Sequence, residues 1–129
     1  MIREIVVTKK APSALGPYSQ AIKTKDMVFV SGQLAIDPSS GELISGDIRE
    51  ETRQALNNLK QILLAAGSKL DHVVKTTLYI SDMDDFGRIN EVYTEFFDQD
   101  PPARACVQVA RLPKDANVEV EAVALFKNS

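Results

Sequence analysis

Hydrophobic positions along the chain follow two rhythms. From Asp47 the repeat is helical: Ile48, Thr52, Ala55, Leu56, Leu59, Ile62, Leu63 and Ala66 form one stripe, with Arg49, Arg53, Asn57 and Lys60 opposite. Asp47 followed three residues on by Glu50 has the form of a capping box, and Gly67 supplies a left-handed stop. A second helical stripe, Phe86, Ile89, Asn90, Tyr93, Phe96 and Phe97, opens at Asp84 or Asp85, with Asn90 its odd polar member.

The other rhythm is that of strands. Ala103, Ala105, Val107 and Val109 alternate with Arg104, Cys106 and Gln108, and after the turn Leu112-Pro113-Lys114-Asp115 the residues from Val118 to Phe126 alternate again. Ile2 to Val7, Ser19 to Thr24, Met27 to Gln33 and Val73 to Ile80 read as four further strands. The run from Met27 is almost continuously apolar, which suits a central strand, and it closes on Ser31-Gly32, where a glycine marks a bulge or a close backbone approach. Pro12, Gly16 and Pro17 keep the segment after the first strand a loop, with Tyr18 at its end.

The order strand, strand, strand, helix, strand, helix, strand, strand predicts an α+β fold, a mixed sheet with both helices on one face. The opposite face carries apolar side chains such as Val123 and Leu125 with no element to cover them, the pattern of a subunit interface.

Composition narrows the function classes. A chain of 129 residues is expected to form a single domain over 1–129. A net charge of −3 without a lysine-arginine block gives no footprint for nucleic acid and none for a membrane surface. One cysteine makes no intrachain disulfide, the start Met1-Ile2-Arg3-Glu4 does not read as a signal peptide, and no apolar run approaches the roughly 20 residues of a membrane span. These point to a cytoplasmic protein. One cysteine and one histidine supply no zinc set, and no phosphate-binding glycine loop or dinucleotide fingerprint appears, so chemistry without metal or cofactor is expected.

Candidate chemistry concentrates in the stretch from Pro101 to Asp115 and the strand after it. Arg104 shares a strand face with Cys106; Glu119 shares one with Glu121, Val123 and Leu125, at the end of an apolar surface. If these two strands pair as neighbours, an arginine and a carboxylate line one pocket, suited to holding and hydrating a small anion. Either charge also has a plain structural reading as half of an ion pair. Cys106 has no histidine beside it in sequence, His72 preceding a different strand, so a thiol nucleophile is not favoured.

Gly16-Pro17-Tyr18-Ser19-Gln20-Ala21, Val30-Ser31-Gly32-Gln33, Ala65-Ala66-Gly67, Val74-Lys75-Thr76-Thr77, Pro102-Ala103-Arg104, Val109 to Asp115 and Glu119-Val120-Glu121-Ala122 run in order over nearly the whole chain. In them the chain resembles the RidA/YjgF family of small imine and enamine deaminases. The resemblance implies a chorismate-mutase-like fold and a homotrimer with active sites between subunits. It also implies that Arg104 binds a substrate carboxylate, that Glu119 handles water, that Tyr18 faces the substrate, and that main-chain groups at Cys106 meet the substrate nitrogen. Ser31, Gly32 and Asn90 join the substrate-binding set on the same ground, while Glu121 is read as structural.

The implied reaction is that of a 2-iminobutanoate/2-iminopropanoate deaminase, hydrolysing imines released by pyridoxal-phosphate enzymes to 2-keto acids and ammonia. Two other readings stand beside it: a non-catalytic regulatory module that binds small 2-keto acids, and an endoribonuclease or translation inhibitor. Ala105 and Gln108 lie where relatives vary, which leaves imine chain length open.

Overall fold

The computed structural model describes residues 2–126; Met1 and residues 127–129 of the expected domain lie outside the described residues. The elements are β1 (Glu4–Val6), β2 (Ala21–Lys23), β3 (Met27–Leu34), α1 (Ile48–Ala65), β4 (Val73–Ile80), α2 (Phe86–Phe96), β5 (Ala103–Gln108) and β6 (Val118–Leu125). Their order is the expected one. β1 and β2 are shorter than the apolar runs that announce them, because β1 pairs only with β2, and only through three residues.

The six strands form one sheet in the order β1-β2-β3-β6-β4-β5. Every pair is antiparallel except β4 with β5, and the connection between those two carries α2, since parallel neighbours need a crossover. After β5 the chain returns and β6 inserts between β3 and β4. The pairing of β5 with β6 on which a pocket shared within one chain depends does not occur: β4 lies between them. The register carries a second correction, for Arg104 stands opposite Thr76 of β4 and Glu119 opposite Tyr79. Those two partners are three residues apart on one strand, so Arg104 and Glu119 point to opposite faces of the sheet.

Both helices pack on one face. Ala55, Leu56, Leu59, Ile62 and Leu63 of α1 and Ile89 and Val92 of α2 are sealed against Val28, Leu78, Ile80, Val118, Val120 and Ala124. Complete burial of a leucine or isoleucine is worth about 1.5–3 kcal/mol, so this layer supplies the bulk of the driving force. The other face is open, with Phe29 45% and Leu125 41% exposed. A smaller cluster of Leu34, Ile36, Leu112 and Ala116 packs beside Tyr79 and Val109.

Asp47 caps α1 by accepting the Arg49 N–H at 2.9 Å, but Glu50 turns to Arg53 and does not reach back, so only half of the expected box forms. Gly67 ends the helix at φ +84°, and a Cβ there would lie 2.8 Å from the Phe126 ring; both conditions require glycine. At α2 the capping side chain is that of Asp82, which accepts the Asp84 N–H in the short turn Met83–Asp85, while Asp85 occupies the cap position of the helix itself.

Two side-chain anchors fix the elements that later carry chemistry. Asn58 of α1 donates to the carbonyls of Leu34 (3.0 Å) and Ile36 (2.9 Å), tying the end of β3 to the helix layer. Gln20, itself buried, accepts the Thr8 N–H at 2.7 Å and donates to the Pro12 carbonyl at 2.7 Å, which holds the loop leading to Tyr18 against the start of β2. The expected bulge is present: the β3–β6 register slips between Val30 and Gln33, at Ser31-Gly32.

Candidate active site

The bulge opens a cavity of about 600 Å³ at the end of the open face, lined among others by Tyr18, Ser31, Gly32, Lys114, Glu119 and Glu121. Its floor is backbone. A Cβ on Gly32 would sit 2.5 Å from Glu119 Oε2 and 2.7 Å from its Cδ, so the carboxylate rests on main chain that only glycine leaves bare. Burial, and then the neighbouring charge of Glu121, raise the Glu119 pKa above the ordinary carboxylate value, with no hydrogen bond among the causes to offset them. A carboxyl in this state gives and takes a proton closer to neutrality than a solvated one.

Around it the polar groups are held with capacity to spare. The Tyr18 hydroxyl accepts the Leu15 N–H at 3.1 Å, which leaves its own proton to donate. Ser31 donates to the Ser19 carbonyl at 2.6 Å and keeps lone pairs for a ligand. Lys114 reaches the cavity from the turn Pro113–Asp115, where it and Asp115 both take positive φ (58° and 55°).

Arg104, Cys106 and Asn90 form a second group on the helix side, at the β5 edge. Arg104 Nη1 donates to Asn90 Oδ1 at 2.7 Å, and the guanidinium carbon lies 4.8 Å from the Tyr93 ring centre and 5.3 Å from that of Phe86. Tyr93 is in turn fixed by a 2.7 Å bond between its hydroxyl and Thr76 Oγ1. Asn90 thus departs from the apolar stripe of α2 because it faces this arginine. It occupies one of the roughly five N–H donors of the fork, whose planar geometry suits a carboxylate. Cys106 is half-buried; burial pushes its thiol up and the nearby Arg104 only partly opposes this, which argues against a thiolate nucleophile.

The residues singled out from sequence therefore fall into two groups on opposite faces: Tyr18, Ser31, Gly32 and Glu119 on one, Arg104, Cys106 and Asn90 on the other. One residue of the cavity region carried no earlier sign. Tyr79 faces Glu119 across β4 and β6, and its hydroxyl donates to Glu121 Oε1. The alternation of β4 gives Tyr79 a face opposite to Leu78 and Ile80, but only the strand order shows what that face meets. Among the described residues no group of three or more His, Cys, Asp and Glu side chains is arranged to hold a metal ion.

A mixed six-stranded sheet with two helices on one face and a carboxylate cavity on the other defines the class, and the comparisons identify it. The family model described as Endoribonuclease L-PSP matches residues 8–126. A RutC family protein of Pyrococcus horikoshii is 51% identical over 123 residues, 95% of this chain and 98% of its own. The human 2-iminobutanoate/2-iminopropanoate deaminase is 50% identical over 125 residues, 97% of this chain and 91% of its own. Among solved structures, Escherichia coli TdcF with bound serine superposes with a TM-score of 0.92 at 45% identity, covering 96% of this chain and 99% of its own. The Escherichia coli YjgF gene product gives 0.92 at 41% identity over 96% and 99%. The chain belongs to the RidA/YjgF family.

Among the described residues no helix is long and apolar enough to cross a membrane.

Proposed function

We propose that the protein is a 2-iminobutanoate/2-iminopropanoate deaminase that works as a homotrimer, each site formed by the Arg104 group of one subunit and the Glu119 cavity of the next. The observation that carries this reading is the placement of an anion fork and a proton-holding carboxyl on opposite faces of one sheet. A single copy cannot bring them to one small substrate, whereas the apolar open face beside the cavity gives a second copy a surface to bury. The relatives named as deaminases support the reaction class, and the serine bound to TdcF supports a ligand of amino-acid size.

In the reaction, Arg104, steadied by Asn90 and the two rings, grips the carboxylate of the 2-imino acid, and main-chain groups near Cys106 orient its nitrogen. Protonated Glu119 gives its proton to the imine nitrogen. The resulting carboxylate takes a proton from water as the water oxygen bonds to the imine carbon. Glu119 then passes that proton to the amine nitrogen; the carbon–nitrogen bond breaks, the hydroxyl proton returns to Glu119, and 2-keto acid and ammonia leave. Tyr18 and Ser31 hold the water and the carbinolamine oxygen. Positioning with one acid-base group suffices for so labile a substrate.

RNA cleavage, the activity that the family name Endoribonuclease L-PSP carries, has weaker support in this chain. The net charge is −3, and the cavity presents carboxylates and Lys114 without an imidazole. The test generates 2-iminobutanoate in situ with an amino-acid oxidase, in chelator, and follows semicarbazide trapping. The wild type lowers trapped imine, Arg104→Ala loses both turnover and 2-ketobutanoate binding, and Glu119→Ala loses turnover alone. Unchanged trapping with the wild type, combined with intact keto-acid binding, replaces the enzyme with a regulatory module. A sedimentation profile showing a concentration-independent monomer removes the shared site.

A further inference from the structure

Glu121 and Tyr79 lie beside the reacting carboxyl without a part in the steps above. Glu121 follows Glu119 by two on β6, so both side chains leave the same face, about 7 Å apart along the strand, and both line the cavity. Tyr79 stands directly opposite Glu119 on β4, yet its hydroxyl donates to Glu121 Oε1. The Tyr79 phenol is thus committed to Glu121, and no hydrogen bond is among the groups acting on Glu119.

We propose that Tyr79 and Glu121 form a charge-holding pair that keeps the exchangeable proton of the cavity on Glu119, making Glu121 a positioning residue for the deamination. The inference rests on the deaminase reading for its purpose and on the side-chain arrangement for its mechanism. A phenol that donates to Glu121 stabilises the carboxylate form of that residue, because an ionised oxygen is the better acceptor. The same bond holds the phenol's proton in place, raising the Tyr79 pKa, with burial adding to it. With that negative charge at its side and no hydrogen bond of its own, Glu119 holds its proton more firmly than a solvated carboxyl.

Every group that faces Glu119 bears on this. β6 contributes Glu121 and β4 contributes Tyr79; β3 contributes Ser31, Gly32, Gln33 and Leu34, none of them charged; the surrounding loops contribute Tyr18 and Lys114. In the proposed trimer, Arg104 of the partner subunit adds a cation. Both cations favour an ionised Glu119, so Glu121 is the one charge in the cavity that opposes them.

The test reads the Glu119 side-chain carboxyl by carbon NMR across pH, the resonance being assigned with Glu119→Gln. Glu121→Gln is expected to lower the Glu119 midpoint by about 1 pH unit, and Glu121→Asp to retain the wild-type value. Tyr79→Phe, which removes a single hydroxyl, is expected to replace the single step by two overlapping ones as the proton divides between the acids. The pH profile of kcat is expected to move with the midpoint while KM for the imine holds. A Glu119 midpoint unchanged in Glu121→Gln, together with a single step in Tyr79→Phe, overturns the pair. Midpoints that move as expected in a protein without deaminase activity retain the pair and overturn the reaction, so the two failures are distinguishable.

Discussion

The cavity around Glu119 and the ledge around Arg104 belong to the same sheet but are prepared by opposite means. In the cavity the backbone does the shaping: a bulge brings Gly32 beneath the carboxyl, and Glu119 is left half-buried with no hydrogen bond to settle its charge. On the ledge the side chains do it, with Asn90 accepting from the guanidinium and Tyr93 and Phe86 lying against it. A group that must change protonation is kept poorly satisfied, and a group that must stay charged and still is supported from several directions. The distinction predicts that damage to each region has a different kinetic signature.

The sharpest break is Glu119→Gln, which keeps the shape and removes the proton carrier. A fall in kcat of about 10²–10⁴-fold with 2-ketobutanoate affinity unchanged is expected from turnover and calorimetry on one preparation. Gly32→Ala follows, because the new methyl would overlap Glu119 Oε2 at 2.5 Å and has no flexible neighbour to displace except the carboxylate itself. Displacement of that kind costs on the order of 10²-fold in kcat, with little change in keto-acid binding. On the ledge the order inverts. Arg104→Lys retains charge but loses the fork and its stacking, and is expected to weaken keto-acid binding by about 10–10²-fold. Asn90→Ala removes one charge-assisted bond, which locates the arginine without forming it, and a roughly 5–10-fold rise in KM is the expected reading. Loss of kcat alone in either ledge variant would remove the division of labour.

The parts legible in the sequence are those that depend on a local period. The α1 stripe announces its own buried face, and the alternation of β6 separates Glu119 and Glu121 from Val118 and Val120 without reference to any other element. The Ser31-Gly32 bulge is legible because glycine closes an otherwise apolar strand. Strand order is not of this kind. Alternation assigns a residue to a face of its own strand and says nothing of which strand lies beside it. Arg104 and Glu119 therefore read as neighbours until the crossover through α2 puts β5 outside β4. Tyr79 was hidden for the same reason, its meaning lying in the residue across the ladder. Glu50 shows a different limit: Arg53, one turn along the helix, competes successfully for a carboxylate that the local motif assigns to the cap.

The smallest expected effect separates the two regions by stability alone. Because folding raises the Glu119 pKa, the folded chain holds that proton more firmly than the unfolded one. The stabilisation this gives is fully present below the unfolded-chain value, near pH 4 to a first approximation, and is lost as pH rises through the folded value. Above that value the ionised, half-buried group is a cost. Glu119→Gln removes the cost and is expected to unfold at slightly higher temperature than the wild type at pH 8, by less than about 1 kcal/mol. The difference shrinks toward acid pH, with protein concentration held fixed so that assembly does not enter. Arg104→Met on the ledge has no such profile: loss of its stacking and of its bond to Asn90 is expected to destabilise by about 1 kcal/mol by an amount that varies little between pH 6 and 8, a range flanked by roughly 2 units on the lower side from an ordinary carboxylate. Melting curves of the two variants at three pH values decide it. If Glu119→Gln is the less stable protein at pH 8, the carboxyl is a structural partner, and its poor satisfaction is not the basis of its chemistry.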